Sequence, residues 1–273
     1  MPKLYILTEH SPFMMSYVFI TDGGRAVIID GGRESDMPHL REIVGGRKIA
    51  AWILTHPHLD HIAGFVDEMK KGEITESIER IYYNFPSEEF TVSCPTEVLP
   101  HVICDFNKEL PKFSDKCVIA EPGLEIEVDE LKIEFLFAGE ERYLYPKPNL
   151  AVNESSIVFK VTSPGMRSVL FLGDLGPEGG RDLLRDNKEK LKSDIVQMSH
   201  HGHGGVTEEV YRAIAPEACM WNAPDWLWEE EDIEHEPELW GTWHQRKWMV
   251  NLGVCKHYVS KDGTQEVDLM LKH

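Results

Sequence analysis

With 273 residues, 42% of them hydrophobic and 27% charged, the chain is long enough for a full hydrophobic core and has the composition of an ordinary globular domain. Forty-seven Asp and Glu against 28 Lys and Arg leave a net charge of −19. Nucleic acids and anionic lipid surfaces are held through basic surfaces, so both are disfavoured as partners and a small-molecule substrate is expected. Five cysteines (Cys94, Cys104, Cys117, Cys219 and Cys255) are odd in number and scattered, which fits neither a disulfide framework nor a structural zinc site. Leu4 to Leu7 is too short for a secretory h-region, and no stretch reaches the roughly 18 to 20 apolar residues of a membrane span. A soluble, cytoplasmic protein is expected.

No repeat, low-complexity tract or Gly/Pro/Ser-rich linker interrupts the chain, so a single domain over residues 1–273 is predicted. Ser16 to Thr21 and Ala26 to Asp30 flank the turn Asp22-Gly23-Gly24-Arg25 and read as a β-hairpin. Asp36 to Val44 reads as a helix, and Lys48 to Leu54 as a buried strand that ends just before a run of histidines. His61 to Met69 has helical character, Ile78 to Tyr83 strand character, and a helix is predicted near Thr96 to Leu110. Strands return at Cys117 to Ala120, Leu124 to Val128 and Leu131 to Phe137. Ser156 to Thr162 and Ser168 to Leu172 form a second hairpin that stops at Gly173-Asp174. A helix near Gly179 to Leu191 leads to a strand from Ile195 to Ser199, which delivers His200-His201-Gly202. Strand groups separated by helices predict two sheets between helical layers.

The chemistry concentrates at His56-Pro57-His58-Leu59-Asp60-His61. His56 and His58, two apart on an extended loop, can share one metal, while Asp60 and His61 open the next helix and can face another. Imidazole and carboxylate are the ligand types of Zn²⁺, and of Fe or Mn where carboxylates contribute more.

His56, His58, Asp60 and His61 match the H-x-H-x-D-H signature of the metallo-β-lactamase superfamily, which the chain resembles over about residues 15 to 220. The resemblance implies an α/β, four-layer αββα sandwich and a metal-dependent hydrolase using a metal-bound hydroxide, with one or two Zn²⁺, or Mn²⁺ or Fe. In the family's order, Asp30 looks like the strand-end Asp that orients ligands, Asp174 like the bridging carboxylate, and His201 before Gly202 like the last ligand. The implied metal set is His56, His58, Asp60, His61, Asp174 and His201. Asp60 would hold the nucleophile, and His200 would touch substrate or serve as acid. One departure stands out. The family's further histidine is replaced by Asn153, and an amide oxygen is a poor zinc ligand. The better site is therefore expected at Asp60, His61, Asp174 and His201; His101, on a predicted helix, reads as a packed or surface residue.

Asn153-x-x-Ser156 with Gly173-Asp174 and His200-His201-Gly202 is similar to a subgroup holding the hydrolase-like domain of DNA-uptake channel proteins and phosphorylcholine esterases. That similarity suggests a phosphodiester or related small ester. A nuclease or a di-iron redox enzyme of the same fold are the alternatives, the former opposed by the charge. Six of seven tryptophans lie between Trp221 and Trp248, among acids. This Trp- and acid-rich C-terminal extension, at about 221–248, reads as a core anchor, or as an aromatic, anionic wall suited to a cationic group such as choline.

Overall fold

The computed structural model describes residues 1–72, 77–94, 102–139, 141, 151–229 and 241–271. Among these, two seven-stranded sheets pack face to face. The first takes β1 (Lys3–Ile6), β2 (Ser16–Ile20), β3 (Ala26–Asp30), β4 (Ile49–Ile53), β5 (Ile81–Tyr83) and β6 (Cys117–Ile119) in chain order. The second runs from β7 (Glu125–Val128) through β8 (Leu131–Phe137), β9 (Val158–Thr162), β10 (Val169–Phe171), β11 (Ile195–Gln197) and β12 (Ala218–Trp221) to β13 (Lys256–Val259). The last strand, β14 (Gln265–Val267), returns to the first sheet beside β1.

Each sheet changes character midway. β1, β2 and β3 pair antiparallel, whereas β3 to β6 are parallel. Likewise β7 to β10 pair antiparallel and β10 to β13 parallel. The parallel halves carry helices on their outer faces, as crossover connections require. α1 (Met37–Val44), α2 (Leu59–Lys71) and α4 (Val102–Glu109) cover the first sheet through Leu40, Phe65, Ile103 and Phe106, which meet Trp52 and Ile28. α3 (Glu88–Ser93) precedes α4, its N-cap Ser87 accepting from the Phe90 amide at 3.1 Å. α5 (Pro177–Leu191), α6 (Glu208–Ile214), α7 (Asp225–Glu229) and α8 (Trp243–Asn251) cover the second sheet, with Leu183, Val210, Leu227 and Met249 packed on Leu170, Val196 and Trp221.

The period of two places alternate residues of β4 on opposite faces. Ala51 and Ile53 enter the core between the sheets, where Tyr17, Phe159 and Phe171 meet. Trp52 points outward against Phe65, ring centroids 4.8 Å apart. All five β4 residues are buried, which explains an unbroken apolar run where a half-exposed strand would alternate.

The α1, α2 and α5 regions lie within about two residues of their predicted bounds. β5 is shorter than Ile78 to Tyr83, and Asn153–Ser155 is a 3-10 turn ahead of β9. Part of the helix expected from Thr96 lies outside the described residues, as does His101. The Trp-rich stretch begins inside β12. Trp221 is fully buried, and Trp228 and Trp248 pack against the same outer core. The Arg246 guanidinium sits 4.6 Å over the Trp228 ring, so that aromatic face already holds a cation. All five cysteines are unpaired in disulfide terms. Among the described residues, no helix is long and apolar enough to cross a membrane.

Candidate metal centre

The ligand-type residues singled out above stand at a strand's carboxyl end or in the segment that follows it, where open α/β sheets place their crevice. β3 ends at Asp30, which is fully buried in the left-handed region at φ 52°. Its carboxylate accepts from the Thr55 amide and the Thr55 hydroxyl, both at 2.7 Å, and from His61 Nδ1 at 2.7 Å. Its carbonyl accepts from Trp52 Nε1 at 2.8 Å. One carboxylate therefore locks β3, β4 and α2 together and fixes the His61 ring with Nε2 toward Asp174 Oδ2, 3.2 Å away. This is the orienting role that a carboxylate behind a ligating histidine plays.

Asp174 follows β10 by way of Gly173 at φ 56°, and its amide donates to Ser156 Oγ at 3.0 Å. Gln197 spans β10 and β11, accepting from the Leu172 amide at 2.8 Å and donating to the Gly173 carbonyl at 3.0 Å. After β11 the chain turns sharply. His200 and His201 both have positive φ, 50° and 57°, a conformation that costs non-glycine residues of order 1–3 kcal/mol each and clusters at functional sites. Gly202 completes the turn at φ 92° against Trp221, where a Cβ would lie 2.4 Å from the indole ring. His201 Nδ1 donates to the Asn222 carbonyl at 2.9 Å, which leaves Nε2 3.1 Å from Asp60 Oδ2 and 3.5 Å from Asp174 Oδ2.

Asp60, His61, Asp174 and His201 each offer one buried ligand atom, all within 4.8 Å of one another. A second group meets the same Asp174 oxygen. His56 Nε2 is 3.8 Å and His200 Nε2 4.0 Å from Oδ2. His58 Nδ1 is 3.0 Å from His56 Nε2, and Asn153 Nδ2 donates to His200 Nε2 at 3.1 Å.

The electrostatics separate the two groups. Burial alone would lower the His61 and His201 pKa values, but Asp174 and its neighbouring carboxylates outweigh it; His61 is raised well above its ordinary value and His201 up to about 9. The same pairing overcomes the burial of Asp60 and Asp174 and holds both ionised. At His56, His58 and His200 burial wins, and all three are neutral at pH 7, His200 being pushed down to about 4. Two imidazoles and two carboxylates fit a divalent cation, and the mix suits Zn²⁺, Mn²⁺ or Fe²⁺. Asp174 Oδ1 is buried without a hydrogen-bond donor, consistent with a carboxylate whose second oxygen also serves a cation.

A pH dependence follows with a definite sign. Below about pH 9 His201 carries the proton that a cation must displace, and His61, raised well above its ordinary value by Asp174 and Asp30, carries another at pH 7. Cation uptake at pH 7 is expected to release protons, and affinity to rise by up to about tenfold per pH unit for each proton displaced. Titration calorimetry in buffers of different ionisation enthalpy reads that release directly. Binding without proton release would show that neither imidazole is displaced.

Three neighbours of the site were not among the candidates named from the sequence. Phe13, on the loop between β1 and β2, lies 3.9 Å ring to ring from His201 and 5.7 Å from the exposed Trp226. His203, buried, lies 4.0 Å ring to ring from His200 at a tilt of 32°. Asn222, after β12, receives the His201 hydrogen bond on its carbonyl. His203 had a signal, the His-x-His spacing from His201; Phe13 and Asn222 had none, since sheet pairing brings them in from distant segments.

The profile of the metallo-beta-lactamase superfamily matches residues 11–216. No curated protein sequence matches the chain. Among solved structures, the metallo-beta-lactamase fold protein YhfI from Bacillus subtilis is similar at 13% identity and TM-score 0.55, over 97% of this chain and 99% of that one. CmlA, a diiron beta-hydroxylase from Streptomyces venezuelae, is similar at 13% identity and TM-score 0.60, over 98% of this chain and 54% of its own. A diphosphatase from the PhnP family is similar at 15% identity and TM-score 0.51, over 100% of both chains. At such identities these structures share the fold.

Proposed function

Since this chain belongs to the metallo-beta-lactamase superfamily and is a metal-dependent hydrolase of that fold, we propose that its substrate is a small phosphodiester or related ester, cleaved with Zn²⁺ as the resident ion. The observation that carries the reading is the convergence of Asp60, His61, Asp174 and His201 within 4.8 Å. A divalent cation there supplies Lewis-acid polarisation of an ester oxygen and a lowered water pKa, to about 7 for zinc.

The chain's own groups do the rest. Asp60, held ionised between His61 and His201, would hold and orient the attacking water, its low basicity suiting it to accept a hydrogen bond and not the proton. Asp30 keeps His61 in one orientation, and the Asn222 carbonyl does the same for His201. Phe13 and Trp226 form an aromatic wall beside His201, which suits a flat or cationic group on the substrate. That wall, the net charge of −19 and the resemblance to phosphorylcholine esterases favour a small ester over a nucleic acid. The similarity to a PhnP-family diphosphatase supports chemistry at phosphorus.

A second reading, a redox enzyme with two irons, draws on the two carboxylates of the donor set and on the similarity to CmlA. One experiment separates the readings: metal content of the purified protein by mass spectrometry, a visible spectrum, and hydrolysis of bis-p-nitrophenyl phosphate with Zn²⁺, Mn²⁺ and Fe²⁺. Turnover that chelation abolishes and metal restores is expected. Iron with a visible band and no hydrolysis would replace the proposal with the redox reading. Faster cleavage of single-stranded DNA than of the small ester would replace it with a nuclease.

A further inference from the structure

Two consecutive histidines in the left-handed region, at φ 50° and 57°, persist only where surrounding contacts hold them there. Those contacts converge on Ser199, the residue before the pair. Its hydroxyl donates to the Leu175 carbonyl at 2.6 Å, and the His200 amide donates to the Gly173 carbonyl at 3.1 Å. The turn is thus bonded to the residues on either side of Asp174. The Ser199 amide donates to the Tyr211 hydroxyl at 3.1 Å, and that hydroxyl donates in turn to Gln245 Oε1 at 3.0 Å.

Ser199, Tyr211 and Gln245 are all buried. The Tyr211 ring packs in the outer core of the second sheet, a place that a phenylalanine would fill as well. Its hydroxyl is costly to bury unless bonded, and here it both accepts and donates. Tyr211 lies on α6 and Gln245 on α8, so the chain of bonds ties the turn to two helices. α8 meets the other end of the turn too. Thr242, its N-cap, holds Cγ2 3.2 Å from where a Cβ on Gly202 would stand.

Resting on the metal-dependent reading above, we propose that Tyr211, braced by Gln245, is a positioning residue for the centre. Its hydroxyl holds the Ser199 amide and, through it, the left-handed backbone of His200 and His201. His201 Nε2 is thereby kept 3.1 Å from Asp60 Oδ2 and 3.5 Å from Asp174 Oδ2. Both side chains act through the Ser199 backbone, which makes α6 and α8 part of the support of the centre.

The test compares Tyr211→Phe with Tyr211→Phe/Gln245→Met on the full chain. Three readouts are taken: Zn²⁺ affinity by chelator competition, Tm, and exchange of the His201 Nδ1 proton by NMR in metal-free protein. That proton bonds the Asn222 carbonyl and is assigned by its loss in His201→Gln. Tyr211→Phe strands the Ser199 amide and Gln245 Oε1, so its Tm is expected to fall. Zn²⁺ affinity is expected to drop about tenfold, the low end for groups behind a ligating histidine. The His201 proton is expected to exchange at least tenfold faster relative to the amides of β2. In the double variant an apolar side chain of similar length replaces the stranded amide of Gln245. Its Tm is expected to recover in part while affinity and exchange stay at the values of the single variant, a split that a merely structural role does not produce. Unchanged exchange of the His201 proton in Tyr211→Phe overturns the proposal, and so does an affinity that returns with the Tm in the double variant. If wild type takes up no Zn²⁺, Mn²⁺ or Fe²⁺, the metal-dependent reading falls, and the His201 proton decides the positioning role without it.

Discussion

Replacing His61 or Asp174 by alanine is expected to remove tightly bound metal and to lower ester hydrolysis by at least about 10³-fold. A cation's charge stabilisation of a transition state is worth several kcal/mol, and each 1.36 kcal/mol is a factor of ten in rate. Neither residue is replaceable by a neighbour. His61 is the candidate ligand that Asp30 orients, at 2.7 Å, and Asp174 Oδ2 is the atom on which four imidazoles converge. Both variants are expected to fold, because the core between the sheets is built from Tyr17, Phe159, Phe171 and their neighbours and does not depend on either side chain. Far-UV circular dichroism, metal content after dialysis and turnover with bis-p-nitrophenyl phosphate check the three parts. Full activity with retained metal in either variant would sink the assignment of the centre.

Much of this centre was legible because its residues are close in sequence. His56, His58, Asp60 and His61 lie within six positions, and the apolar run of β4 before them together with the helical pattern after them places them at a strand end. Asp174 and His201 were legible for a related reason, each following a short apolar strand directly. What the residues alone could not give was convergence. Only the order of strands, with β10 and β11 paired in one sheet and β3 and β4 in the other, brings Asp174 and His201 to Asp60.

The elements missed were those whose stability comes from distant partners. β1 has four residues and is held by β2 and β14, the latter some 260 positions away in sequence. β12 and β13 pair in parallel, joined through α7 and α8, so no hairpin turn announces them. The conformation of His200 and His201 was also hidden, since positive φ at two consecutive histidines runs against local preference and persists only where surrounding contacts enforce it. The departure at Asn153 was visible in sequence, but its consequence was not, because the contact with His200 spans 47 positions.

Substituting Asp30 is expected to show how much of the centre is held from behind. Asp30→Ala strands three buried donors, the Thr55 amide, the Thr55 hydroxyl and His61 Nδ1. Each unsatisfied buried group costs about 1–3 kcal/mol, and alanine at φ 52° adds about 1 kcal/mol, since only Gly and Asn or Asp visit that region readily. A loss of at least about 4 kcal/mol, or a Tm lower by about 10 °C or more for a chain of this size, is the expected outcome. Asp30→Asn is the sharper probe. It keeps the shape and tolerates the backbone, but one of its two oxygens becomes an NH₂ group that faces a donor. Either Thr55 or His61 then loses its acceptor, and if His61 loses it the ring is free to turn Nε2 away from Asp174. Metal affinity is therefore expected to fall 10- to 100-fold, the usual effect of losing a partner behind a ligating histidine, while the Tm falls less than in the alanine variant. Chelator competition and thermal melts on both variants separate the two contributions. Wild-type affinity in Asp30→Asn would mean that packing against His56, whose ring centroid is 4.1 Å from that of His61, sets the His61 ring without help from the carboxylate.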